Sequence, residues 1–317
     1  MDGVFSLSAA TLRGDLVGEL TATTRLPAQV ALGQADLLTQ GTGPRAQSML
    51  LEAASGLRVE VVGGAVELRC LVGGDKPAWQ TLMRMHRPPA ELFQAQVALV
   101  DAELPLRESR AGEVLAQAGN AFGFFLGAVA VPWNRKPRSL EFIDIALGLM
   151  QMLQQRAKQL LACARPHTLQ PALMPIVEVP EHGSLPSGHA GESRLVAELL
   201  SQWLAGDDRN APQARMLDRL ATRIAHNRVV AGVHFPVDSV AGDLLGRCLF
   251  AYLKAAFELR PAPFAVFGAT DSKDWGAHDR LTPASSGELA TLKTASFTPD
   301  RLKDLSELWK LACAEWS

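Results

Sequence analysis

The sequence predicts a mainly α-helical protein, a bundle with one small β-hairpin near its N-terminus. Three observations carry this. From Pro88 to Leu259 apolar residues recur at three- and four-residue spacing in one segment after another. One of these segments, Ser139–Ala164, is apolar almost all round as far as Gln151, as a helix buried in the middle of a bundle is. Against them stands one clear period-two pattern, 57–62 and 65–71, polar and apolar in alternation around Gly63-Gly64.

Taken in order, residues 1–55 are weakly patterned, with Gly, Thr and Ala scattered through them. The hairpin follows, so residues 1–85 are expected to form a β-containing appendage or a flap on the main body. Helices are predicted over Ala90–Leu104 and Ala111–Val129, with a break at Pro132 and Pro137, and then over Ser139–Ala164. A proline-rich connection, Pro171–Ser184, leads to helices over Glu192–Leu204, Ala214–Ala231 and Val237–Leu259, the last opened by Pro236. Residues 86–262 would be the catalytic body. After Pro261 the pattern loosens, and Thr298-Pro299 is expected to cap a final amphipathic helix in a C-terminal extension, 263–317.

Composition narrows the function classes. A formal net charge of -2 and a single tyrosine among 317 residues argue against a nucleic-acid binder, which needs a basic face. Four well-separated cysteines without a CxxC pair suggest free thiols in a reducing compartment. The N-terminus lacks a basic stretch followed by an apolar run, and the most apolar window, Ala121–Trp133, is too short to cross a bilayer. A soluble, cytoplasmic protein without a transmembrane segment is expected, and so much apolar helix surface makes a homodimer an open possibility.

The chemistry starts at Leu185-Pro186-Ser187-Gly188-His189-Ala190, placed where a helix begins. Backbone N–H groups there lack intrahelical partners and favour an anion, a glycine admits close approach, and a serine adds a donor. Two further groups join it. Lys158 and Arg165 lie seven residues apart, close to two helical turns, so on a continuous helix both would face one way. Arg228, His234 and Asp238 lie around a predicted helix junction. Three cations, a backbone cradle, two histidines and a carboxylate suit in-line displacement at a tetrahedral oxyanion. The cations and amides stabilise charge, one histidine attacks, and the other protonates the leaving group. The protein itself then supplies the positive charge, so no metal is required and no cofactor is expected.

Lys158-x6-Arg165-Pro166, Pro186-Ser187-Gly188-His189 and Arg228-x5-His234-x3-Asp238 resemble, in order and spacing, the three signature motifs of the type 2 phosphatidic acid phosphatase (PAP2) and vanadium haloperoxidase superfamily. The likeness is to a soluble bacterial-type member and implies a helical bundle of the acid phosphatase/haloperoxidase type. It implies that Lys158, Arg165, Arg228, the Ser187 hydroxyl and the Gly188 amide bind the oxyanion. His234 would form a phosphohistidine, Asp238 would orient its ring, and His189 would be the general acid and then the base. The implied activity is hydrolysis of a small phosphate monoester. The alternative is a haloperoxidase holding vanadate, with His234 bonded to the metal. The short connections between the motifs favour the phosphatase. One position departs from the pattern: Asn227 stands where serine is usual. His167 and His182 are candidates for the pocket mouth, whereas His86, His226 and His278 have no chemical partner in the sequence.

Overall fold

The computed structural model describes residues 37–73, 77–268 and 290–317. The chain divides into two compact units, 1–40 and 41–317. Of the first, the described part is a short 3₁₀ turn, Leu37–Thr39. All that follows concerns the second, which is mostly helical with one small sheet.

Its elements in order are α1 (Thr42–Ser55), β1 (Leu57–Val62), β2 (Ala65–Val72), β3 (Ala78–Met85), α2 (Ala90–Ala102) and α3 (Arg107–Ala128). Then come α4 (Pro137–Leu161), the single turn α5 (Pro166–Leu169), α6 (Gly188–Ala205), α7 (Pro212–Val230) and α8 (Pro236–Glu258). Strands β4 (Pro263–Phe267) and β5 (Ala290–Thr294) and the helix α9 (Lys303–Ala314) complete it.

Strands β1 and β2 pair antiparallel with Val62 opposite Ala65, and both turn glycines have positive φ, 56° at Gly63 and 81° at Gly64. That is the backbone of a two-residue hairpin turn whose twist matches its strands. The sheet is larger than a hairpin, with order β1-β2-β3-β4-β5. All pairings are antiparallel except β3 with β4, where Met83 faces Ala265 and Met85 faces Phe267. Parallel neighbours require a crossover, and here the crossover is the entire helical body. Strands β4 and β5 escaped the sequence reading because each is only five residues long and β4 pairs with β3, far away in the chain; β3, eight residues long and next to β2, was missed as well.

The bundle is built around α6, which packs on α4, α7 and α8. Its residues Leu195, Leu199 and Leu200 are essentially inaccessible, and the sheet lies against α8 and α4. At one end an aromatic cluster closes the core. Phe142 of α4 meets Trp203 edge-on, Trp309 stacks on Phe257, and Trp316 stacks on Trp203 with centroids 5.6 Å apart. Glu141 of α4 forms a buried bidentate pair with Arg45 of α1 at 2.6 and 2.8 Å, which fixes the first helix to the bundle.

Two expected boundaries move. Helix α4 stops at Leu161, where Ala162 takes a left-handed conformation (φ 47°), so Arg165 lies outside it in extended backbone. The final helix starts at Lys303 with Leu302 at its N-cap, so Thr298 does not cap it. The preceding stretch is drawn to the sheet instead: Ala295 N–H donates to Ala262 O and Ala262 N–H to Phe297 O. Among the described residues, no helix is long and apolar enough to cross a membrane.

Candidate active site

Ser187 is the N-cap of α6 and Gly188 its first residue. The Ser187 N–H donates to the Asp238 carbonyl at 2.8 Å, tying this turn to the start of α8. Its hydroxyl is buried without a protein partner. The contact depends on Gly242: a Cβ there would lie 2.3 Å from the Ser187 carbonyl oxygen and 3.2 Å from the Gly191 nitrogen, both backbone atoms. Glycine is what lets the two helices approach this closely.

The α7–α8 junction supplies the His–Asp pair. Gly232 turns the chain with φ 80°, and His234 follows just before α8. Asp238, three residues after the N-cap Phe235, accepts that residue's N–H through Oδ2 at 2.9 Å. The same oxygen lies 3.1 Å from His234 Nδ1, and Ser184 Oγ donates to Oδ1 at 3.3 Å. A carboxylate so placed accepts a hydrogen bond from Nδ1–H and so keeps the proton there, which leaves the lone pair on Nε2. Burial, with Lys158, Arg165, His189 and Arg228 adding positive field, holds the His234 imidazole neutral, well below its ordinary range. Burial pushes Asp238 upward, opposed by the Phe235 N–H and the two cations.

The three cations converge on that pair from separate elements. Lys158 lies in the last turn of α4 and donates to the carbonyls of Gly183 and Ser184 at 3.2 and 3.1 Å. Arg165 donates through Nη1 to the Val233 carbonyl at 2.7 Å and through Nε to the His182 carbonyl at 3.1 Å. Arg228 donates to the Val114 carbonyl at 2.8 Å, while its Nε is buried with no partner. All three are less than 5% exposed. Burial lowers each, taking Arg228 to about 10, and for Lys158 the neighbouring Arg165 adds to the effect. Carbonyl dipoles hold these cations in place without neutralising them. Such a surplus of buried positive charge is relieved by an incoming oxyanion. The break after Leu161 therefore does not separate Lys158 from Arg165; it turns Arg165 toward the same centre.

His189 stands on the first turn of α6, half-buried, with Nε2 3.1 Å from the Gln117 carbonyl. Since a carbonyl only accepts, Nε2 carries the proton and Nδ1 is free for acid–base work. Burial, with Arg228 and Lys158 adding to it, lowers its pKa to about 4. It lines a cavity of about 300 Å³ walled by α3, α4 and α6.

The sequence reading missed what α3 contributes. Gln117 is fully buried, and its side-chain oxygen accepts from Asn227 Nδ2 at 2.9 Å, while Glu113 accepts from the same amide at 2.8 Å. Asn227 thus braces α7 against α3 and spends both amide hydrogens there rather than on a ligand. Glu113 also takes Arg223 in a bidentate pair. Nothing local marks Gln117 or Glu113, which meet their partners across more than a hundred residues.

His167 and His182 line a groove beside Arg165, with His182 Nδ1 3.2 Å from Arg165 Nη2. His226 sits between Glu103 (2.9 Å) and Arg110 (3.0 Å), a helix-to-helix tie. His278 lies outside the described residues.

Residues 143–262, which contain all three motifs, match the model of the PAP2 superfamily. Among solved structures the chain is similar to the crystal structure of the first transmembrane PAP2 type phosphatidylglycerolphosphate phosphatase from Bacillus subtilis. The identity is 21% and the TM-score 0.41, over 54% of this chain and 88% of that chain. No curated protein matches the chain.

Proposed function

We propose that this protein is a phosphatase that hydrolyses a phosphate monoester through a phosphohistidine on His234, with its own cations in place of a metal. The observation that carries the reading is the buried constellation around His234. Its Nδ1 faces Asp238, its Nε2 is left as the nucleophile, and Lys158, Arg165 and Arg228 bring buried positive charge to it. The match of residues 143–262 to the PAP2 superfamily supports it.

In the first step the Nε2 lone pair attacks phosphorus and the bond to the ester oxygen breaks. The departing alkoxide takes a proton from His189. In the second, His189 accepts a proton from water as that water attacks phosphorus, and the P–N bond breaks to release phosphate and His234. The Ser187 hydroxyl, the Gly188 amide and the three cations hold the equatorial oxygens throughout. Asp238 stabilises the imidazolium character that builds on His234.

The pKa shifts set a pH dependence. His234 is held unprotonated well below its ordinary range, so its own protonation does not limit the nucleophile in mild acid. His189, lowered to about 4, must be protonated to act as the acid. The protonated fraction of free enzyme falls as pH rises above that value, so kcat/KM should peak on the acidic side and decline toward pH 8. A profile that rises toward pH 8 would remove His189 from the acid role.

The test is p-nitrophenyl phosphate hydrolysis by chelator-treated protein with an orthovanadate titration. Hydrolysis that survives chelation and is blocked by vanadate supports the reading. No hydrolysis, together with peroxide-dependent bromide oxidation by vanadate-loaded protein, would replace it with the haloperoxidase alternative.

A further inference from the structure

We propose that Glu192, one helical turn beyond His189, recognises the leaving group, and that the substrate is the phosphate ester of a compact, uncharged alcohol carrying further hydroxyls. This rests on the phosphatase reading and names its substrate class.

The argument begins with position. His189 and Glu192 are three residues apart on α6, hence on one face, and both line the cavity of about 300 Å³. Neither is fully buried, unlike Ser193 and Arg194 beside them. A group that takes the proton of His189 must extend past it, and this cavity is where it would lie.

The walls then select the chemistry. Gln117, Asn120, Gln151 and Glu192 provide polar atoms, and Phe122 and Leu147 an apolar side. Among the described residues no lysine or arginine lines the cavity, and Glu192 does, so a second phosphate or a carboxylate on the leaving group would meet a carboxyl rather than a lining cation. Glu192 is held in place: Gln154 Nε2 donates to its Oε1 at 2.6 Å, and Gln151 also hydrogen-bonds to its side chain. Burial raises its pKa from the ordinary carboxylate value, opposed by the Gln154 and Gln151 hydrogen bonds and by Lys158. As a cavity-lining carboxyl it can accept a hydrogen bond from a substrate hydroxyl. Asn120 and Gln151 are exposed and Gln117 is already paired with Asn227 and Glu113, so the discrimination falls to half-buried Glu192, which a hydroxylated alcohol can hydrogen-bond and an apolar one cannot. The same Gln154 lies 3.2 Å from where a Gly188 Cβ would be, so the side chain holding Glu192 also borders the oxyanion cradle.

The experiment compares kcat/KM for glycerol phosphate, n-butyl phosphate and phosphoethanolamine in the wild type, E192Q and E192L. Wild type should favour glycerol phosphate over n-butyl phosphate by at least tenfold. E192L should bring that ratio close to one, mainly through loss on glycerol phosphate. E192Q, which keeps a donor and an acceptor, should retain most of the preference. An equal ratio in wild type and E192L would overturn the proposal. So would a wild-type preference for phosphoethanolamine, which would show an ionised Glu192 binding an ammonium group. Should E192L fail to fold, the wild-type ranking and E192Q still decide. Displacement of bound vanadate by the same three esters reads the subsite without turnover. A protein that hydrolyses none of them but keeps the ranking in displacement would fail as a phosphatase while its subsite stands.

Discussion

Replacing His234 by alanine should lower kcat for ester hydrolysis by about 10⁴-fold or more, the scale of losing a nucleophile that acts with its partners as a unit. The fold should survive. Asp238 Oδ2 keeps the Phe235 N–H as a donor and Oδ1 keeps Ser184, so no buried carboxylate is orphaned. The three cations hold to backbone carbonyls that do not involve the imidazole. Stopped-flow kinetics with p-nitrophenyl phosphate, alongside thermal melts, measures both halves. Acid-labile phosphate trapped on the wild type and absent from the variant would place the intermediate on this residue. Near-normal turnover in the variant would end the nucleophile assignment.

The second large effect concerns stability. Gly242→Val should destabilise the protein by about 3 kcal/mol or more, with a melting temperature lower by roughly 5 °C or more. The added Cβ would fall 2.3 Å from the Ser187 carbonyl oxygen, and that atom is fixed by the helix it starts. Relief requires α8 to move away from α6, which also pulls Asp238 from the Ser187 N–H. Activity should therefore fall with stability. Gly112→Ala is the control, since it too lies in a helix but a Cβ there meets nothing within 4 Å. An unchanged melt for Gly242→Val would mean that the two helices are not packed this closely.

Much of the bundle was legible because its helices obey a local rule. The periodicity of α6, α7 and α8 placed their starts within a few residues, and Pro236 marked a first turn. The site was legible for a similar reason: Ser187, Gly188 and His189 are contiguous, and the four-residue step from His234 to Asp238 is one turn across a helix start. What stayed hidden depends on distance. Nothing near Gln117 announces that it will meet Asn227, and nothing in β3 announces β4. The end of α4 was misplaced because Ala162 and Cys163 continue the apolar pattern, although the backbone turns left-handed at Ala162. Thr298-Pro299 carried a sound capping signal that hydrogen bonds between the preceding residues, Ala295 and Phe297, and Ala262 overrode.

The parallel pairing of β3 with β4 also bears on the order in which the chain can assemble. During synthesis β1, β2 and β3 emerge early and can form a three-stranded meander at once. The edge of β3 that will bind Ala265 and Phe267 must then wait while residues 86–262 are made. Met83 and Met85, fully covered in the finished protein, stand on that waiting strand. An open strand edge with apolar side chains invites other chains to pair with it. The helical body, rich in local contacts, can meanwhile form quickly. Closing the sheet is thus a late event, and the nascent chain is most exposed to aggregation in the interval before Pro263–Phe267 leaves the ribosome.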